Sequence, residues 1–98
     1  MLELITILID RRRPVTLSDL PLHGSAQVES VRDLHANDAI ARRLKELGFV
    51  KGEDVRLVAR GPIGGEPLLV QVGFTRFALR RTEAGRIEIS VKTPEAAV

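Results

Sequence analysis

The segment RRLKELGFVKGEDVRLV, Arg42–Val58, changes its hydrophobic period halfway along. Before Gly48 the apolar residues recur at helical spacing; after Gly52 they alternate. A switch punctuated by two glycines makes a helix stop and a strand start within a few residues. So short a helix is marginal alone and must be held by packing. The same 17 residues contain no cysteine, histidine or hydroxyl nucleophile, so the most ordered part of the sequence is architecture and carries no reactive chemistry.

The helix is expected over Asn37–Leu47, with Asn37 or Asp38 as N-cap and Gly48 as the left-handed stop. Ile40, Leu44 and Leu47 fall on one face, and Asp38 and Arg42 form an i,i+4 pair. Beyond Glu53 one face of a strand carries Val55, Leu57 and Ala59, and the other Arg56, Val58 and Arg60. GPIGGEP, Gly61–Pro67, reads as a turn. Leu68, Val70 and Val72 alternate, then Thr75, Phe77 and Leu79 against Phe74, Arg76, Ala78 and Arg80, then Ile87, Ile89 and Val91. Upstream, Val15–Leu22 has Leu17, Leu20 and Leu22 as anchors around a turn or short 3₁₀ piece, and Ala26–Val31 reads as a strand with Val28 and Val31 inward. About five short strands and one helix in 98 residues indicate one domain, a small barrel or sandwich.

Residues 1–14, MLELITILIDRRRP, sit outside this pattern and read as an extra strand, a short helix or an interaction tail. Their apolar run is shorter than the roughly 20 residues a membrane helix needs. The arginines follow it, the reverse of a secretory signal, so a soluble cytoplasmic protein is expected. The net charge of +2 comes from 12 arginines and three lysines against 13 acidic residues, too small an excess for a dedicated nucleic-acid binder. Aromatic platforms are also scarce: three phenylalanines, of which Phe74 and Phe49 are the candidates, with Phe77 on the core face.

Catalytic patterns are lacking. Gly61-x-x-Gly64-Gly65 has no Gly-Lys-Ser/Thr ending and leads into a strand, unlike a phosphate loop. Ser18, Ser25, Ser30 and Ser90 have no nucleophile-elbow context. His23 and His35 are the weak metal candidates, with Asp19, Asp33 and Asp38 as carboxylates that could join them only through the fold. No enzymatic activity and no tightly bound cofactor are expected, and at most a weak divalent-metal contact.

Three fragments in order, TLSDLPLHGSAQV, RRLKELGFVKGEDVRLV and GPIGGEPLLVQVGFTRFALRRTEAGRIEI, closely resemble the FeoA family of bacterial ferrous iron transport accessory proteins. The most specific part is Arg43-Leu44-x-x-Leu47-Gly48-Phe49-x-x-Gly52, followed by Gly64-Gly65-x-Pro67, Phe77-Ala78-Leu79-Arg80 and Glu83-Ala84. The resemblance implies an all-β, SH3-like barrel of five to six strands over residues 15–92. A helix is inserted near 37–48, an extension covers 1–14 and a tail 93–98. It implies a partner, the cytoplasmic GTP-binding domain of the membrane ferrous iron transporter, with no nucleic acid and no membrane insertion; a homo-oligomer is compatible. Similar domains end metal-dependent repressors, which supplies the alternative reading beside a small nucleic-acid-binding barrel. Leu44, Leu47, Gly48, Phe49 and Gly52 are then structural. Val58, Leu69, Phe74, Arg76 and Arg80 are the candidate partner-binding residues, apolar spots bordered by arginine.

Overall fold

Strand β1 (Ser25–Val31) lies near the middle of a five-stranded antiparallel sheet, next to β2 (Asp54–Gly61) on one side and β5 (Ile87–Val91) on the other. The computed structural model describes residues 15–91; the expectations for 1–14 and 93–98 lie outside the described residues. Beyond β2 come β3 (Gly65–Val72) and β4 (Thr75–Leu79), giving the order β4-β3-β2-β1-β5. Helix α1 (Ala39–Leu47) connects β1 to β2, and a single turn, α2 (Arg81–Ala84), connects β4 to β5.

The sheet curls because its strands are interrupted by bulges, each adding an unpaired residue and extra twist. Register shifts occur between Val28 and Ser30 in β1 and between Leu57 and Ala59 in β2. The curl brings inward side chains together: Phe49, Leu17, Leu20, Leu57, Leu68, Ile87, Val28, Val55 and Val70 are fully buried. The first and last strands of the order do not pair with each other. Instead Val15 and Thr16 lie along β5, where the Ile89 N–H donates to the Val15 carbonyl at 2.9 Å and Thr16 bridges Glu88. This is the sixth strand, reduced to a bridge, so the expected barrel is a partly open one.

The expected 3₁₀ piece is present at Leu17–Asp19. It is held by the Thr16 N–H donating to Asp19 Oδ2 at 2.8 Å. Leu17 and Leu20 are buried as expected, whereas Leu22 is about half exposed. The one-residue shift at Val58 also breaks the expected β2 alternation: Val55 and Leu57 are buried, and Val58 and Ala59 are both half-buried. A sequence period of two cannot reveal a bulge, since the extra residue changes sides only when a partner strand is present.

Helix α1 departs from expectation at its N-terminal end. Its buried positions are Ala41 and Leu44; Leu47 is half-buried and Ile40 is 42% exposed. Phe49, just past the stop, takes the deep position the stripe was expected to fill. Gly48 adopts φ 118°, and the Phe49 N–H donates to the Leu44 carbonyl at 3.1 Å, which closes the helix with a left-handed cap. Asp38 is the N-cap, its Oδ1 accepting from the Ile40 and Ala41 N–H groups at 3.1 Å. Its other oxygen accepts from the Leu34 N–H at 2.9 Å and from the Arg86 guanidinium. The expected Asp38–Arg42 pair is therefore replaced by Asp38–Arg86, a contact between residues 48 apart that local spacing could not disclose. The Leu34 N–H and then Arg86 hold the Asp38 carboxyl well below the ordinary carboxylate range, against the opposing effect of burial.

Turn α2 was not expected. Its signal is Glu83, three residues after Arg80, whose carboxylate accepts from the Arg80 N–H at 2.8 Å.

Candidate functional site

A groove of about 640 Å³ separates helix α1 from strand β4. Ile40, Leu44 and Leu47 line it from the helix, and the five successive residues Arg76–Arg80 line it from the strand and the residue after it. Consecutive strand residues face one cleft only when the cleft follows the strand's edge, because successive side chains point to opposite faces. Phe77 joins groove to core: it lines the groove and lies 6.0 Å, centroid to centroid, from the buried Phe49 ring at an interplanar angle of 53°.

Arg43 from α1, with Arg76 from β4 and Arg80 just past its end, makes the groove basic; Glu83 is its acidic lining residue. Among the described residues no carboxylate lies in ion-pair contact with these three arginines. Arg76 Nε donates to Gln71 Oε1 at 3.2 Å, which steadies its stem across the β3–β4 pair.

Four of the five candidate partner-binding residues belong to the β3–β4 hairpin. Leu69 sits directly opposite Ala78, and Arg76 and Arg80 lie two residues to either side of Ala78, on the same face. Phe74 occupies the two-residue turn between Val72 and Thr75 and is fully exposed. Val58 is apart from them, half-buried at the bulge of β2. Ile40 and Arg43 were missed. They carried a signal, since Ile40, Arg43, Leu44 and Leu47 share one helical face, but the sequence alone assigns that face to the core.

The structural candidates are placed as follows. Leu44 and Phe49 are buried, Leu47 is half-buried, and Gly48 and Gly52 take φ of 118° and 93°. Phe49 has no exposed face and cannot act as a stacking platform, correcting the expectation that paired it with Phe74. His23 precedes β1 and His35 follows it, so the seven-residue strand holds them roughly 20 Å apart. The His23 N–H donates to the Leu57 carbonyl at 2.7 Å, and a ring nitrogen of His35 lies 2.9 Å from the Ala36 carbonyl. The carboxylates are engaged elsewhere: Asp19 in the 3₁₀ turn, Asp33 with Lys45 at 3.6 Å, Asp38 with Arg86. Among the described residues no group of three or more His, Cys, Asp or Glu could hold a metal ion. Among them, too, no helix is long and apolar enough to cross a membrane.

No curated protein matches this sequence. Among solved structures, FeoA of Stenotrophomonas maltophilia, complexed with zinc, is 78% identical, over 78% of this chain and 89% of that one, with a TM-score of 0.72. It is described as an SH3-domain protein suggested to act as a ferrous iron transport activating factor. FeoA of Chlorobium tepidum is 32% identical over 81% of this chain and 71% of that one, with a TM-score of 0.69. A manganese-dependent transcriptional repressor superposes with a TM-score of 0.68 at 18% identity, over 81% of this chain and 37% of the repressor, a likeness of fold alone. Residues 15–91 match the FeoA domain. The fold and the family match agree across the whole described body, and the chain belongs to the FeoA family.

Proposed function

We propose that this protein is a cytoplasmic accessory factor of ferrous iron uptake that acts by binding the cytoplasmic GTP-binding domain of the membrane iron transporter, without catalysing a reaction itself. The observation that carries this reading is the 78% identity, over most of the chain, to a protein described as a suggested activating factor of ferrous iron transport. The surface agrees with a docking role. Leu69, Phe74, Arg76 and Arg80 gather on one hairpin, the mixture of apolar and arginine anchors that carries binding energy in protein interfaces. Val58 contributes from the neighbouring strand.

Titration calorimetry of the full chain against the transporter's cytoplasmic region, with and without GTP, tests it. Saturable binding in either state is the expected result. Absence of heat in both, together with failure to co-purify, overturns the reading.

A further inference from the structure

From the edge of β4 left unpaired among the described residues, beside a basic groove, we infer that this protein binds its partner by adding an extended, acidic segment of that partner as a further strand along β4. The inference deepens the partner reading above and rests on it.

The argument begins with the backbone. Among the described residues β4 pairs with β3 alone, in the register Val72↔Thr75, Val70↔Phe77 and Leu68↔Leu79. In a two-residue hairpin the pair flanking the turn exchanges its backbone hydrogen bonds, and every second pair after it does the same. Thr75, Phe77 and Leu79 thus direct their N–H and C=O groups at β3. Arg76 and Ala78 direct theirs at the groove. The edge ends at Arg80, whose N–H donates to Glu83 Oε1 at 2.8 Å and whose carbonyl accepts from Glu83 and Ala84 at 3.0 and 2.9 Å. What remains is a ladder site one short strand long, and main-chain pairing to such an edge is an established mode of peptide capture.

The side chains select the occupant. Ile40 and Leu47 on the helix and Phe77 on the strand offer apolar contact to alternate residues of an incoming strand. Arg43, Arg76 and Arg80 stand beside them with no carboxylate in ion-pair contact among the described residues. Charge complementarity therefore calls for acidic residues at the other alternate positions. A second copy of the same edge fits badly, since pairing β4 with itself sets Arg76 and Arg80 against like charges.

The test uses the full-length protein, the transporter's cytoplasmic region, and two eight-residue probe peptides, one alternating Glu with Val and one Lys with Val. Ala78→Pro removes an outward N–H while sparing the bonds to β3, as edge strands tolerate. Arg76→Glu with Arg80→Glu reverses the charge, and serves alone if the proline variant fails to fold by circular dichroism. Expected are at least tenfold slower amide exchange at Arg76 and Ala78 in the complex, at least tenfold weaker binding by either variant, and competition by the Glu peptide only. Normal binding by both folded variants, with unchanged exchange at Arg76 and Ala78, overturns the strand-addition inference and leaves the partner reading intact. Binding of the Glu peptide but not of the cytoplasmic region supports the groove and overturns the partner reading. Binding of neither overturns both.

Discussion

Replacing Phe49 with leucine should destabilise the protein by about 1–2 kcal/mol, whereas the same change at Phe74 should fall within about 0.5 kcal/mol of neutral. Phe49 is fully buried and its ring meets Phe77 at a tilted 53°. Losing a tilted aromatic pair removes about 0.5–1.5 kcal/mol beyond area burial. Leucine also leaves a void on the order of 20 Å³, adding about 0.5 kcal/mol at the usual cavity cost. For a domain of this size the sum lowers the melting temperature by about 4–16 °C. Phe74, being fully exposed, has no such contacts to lose. Thermal and urea melts of Phe49→Leu, Phe77→Leu and the double variant close a mutant cycle. A coupling near the aromatic-pair value is expected. Equal melting shifts for Phe49→Leu and Phe74→Leu, or zero coupling between Phe49 and Phe77, would refute the packing account.

Further outcomes follow from the caps, the turn and the histidines. Because the Asp38 carboxyl is held below its ordinary value, its charge stabilises the fold fully above about pH 4, and this contribution fades as pH falls toward the folded-state value. Asp38→Asn keeps a capping side chain but not the charge, so its stability deficit in urea melts should be largest at neutral pH and shrink below pH 4; a constant deficit contradicts this. Gly61→Ala should cost about 1–3 kcal/mol or more, since its Cβ would meet the Glu66 carbonyl group and the Pro67 nitrogen in the facing strand; a neutral urea midpoint would refute that close approach. Fe²⁺ should not survive dialysis at stoichiometric level, given the distance between His23 and His35. Retention abolished by His23→Ala or His35→Ala would show a site there.

The period switch around Gly48, the alternation in β3 to β5 and the cap at Asp38 were legible without coordinates, because each depends on residues a few positions apart. The motif from Arg43 to Gly52 carried the family as well. Three features became visible only in the folded chain. Asp38 chose Arg86 over Arg42, the bulge at Val58 displaced an expected alternation, and Ile40 left the core face to line a groove with β4. Each depends on what a distant segment presents at short range. Local spacing decides which elements form; the curl of the sheet decides which of their faces remain open to a partner.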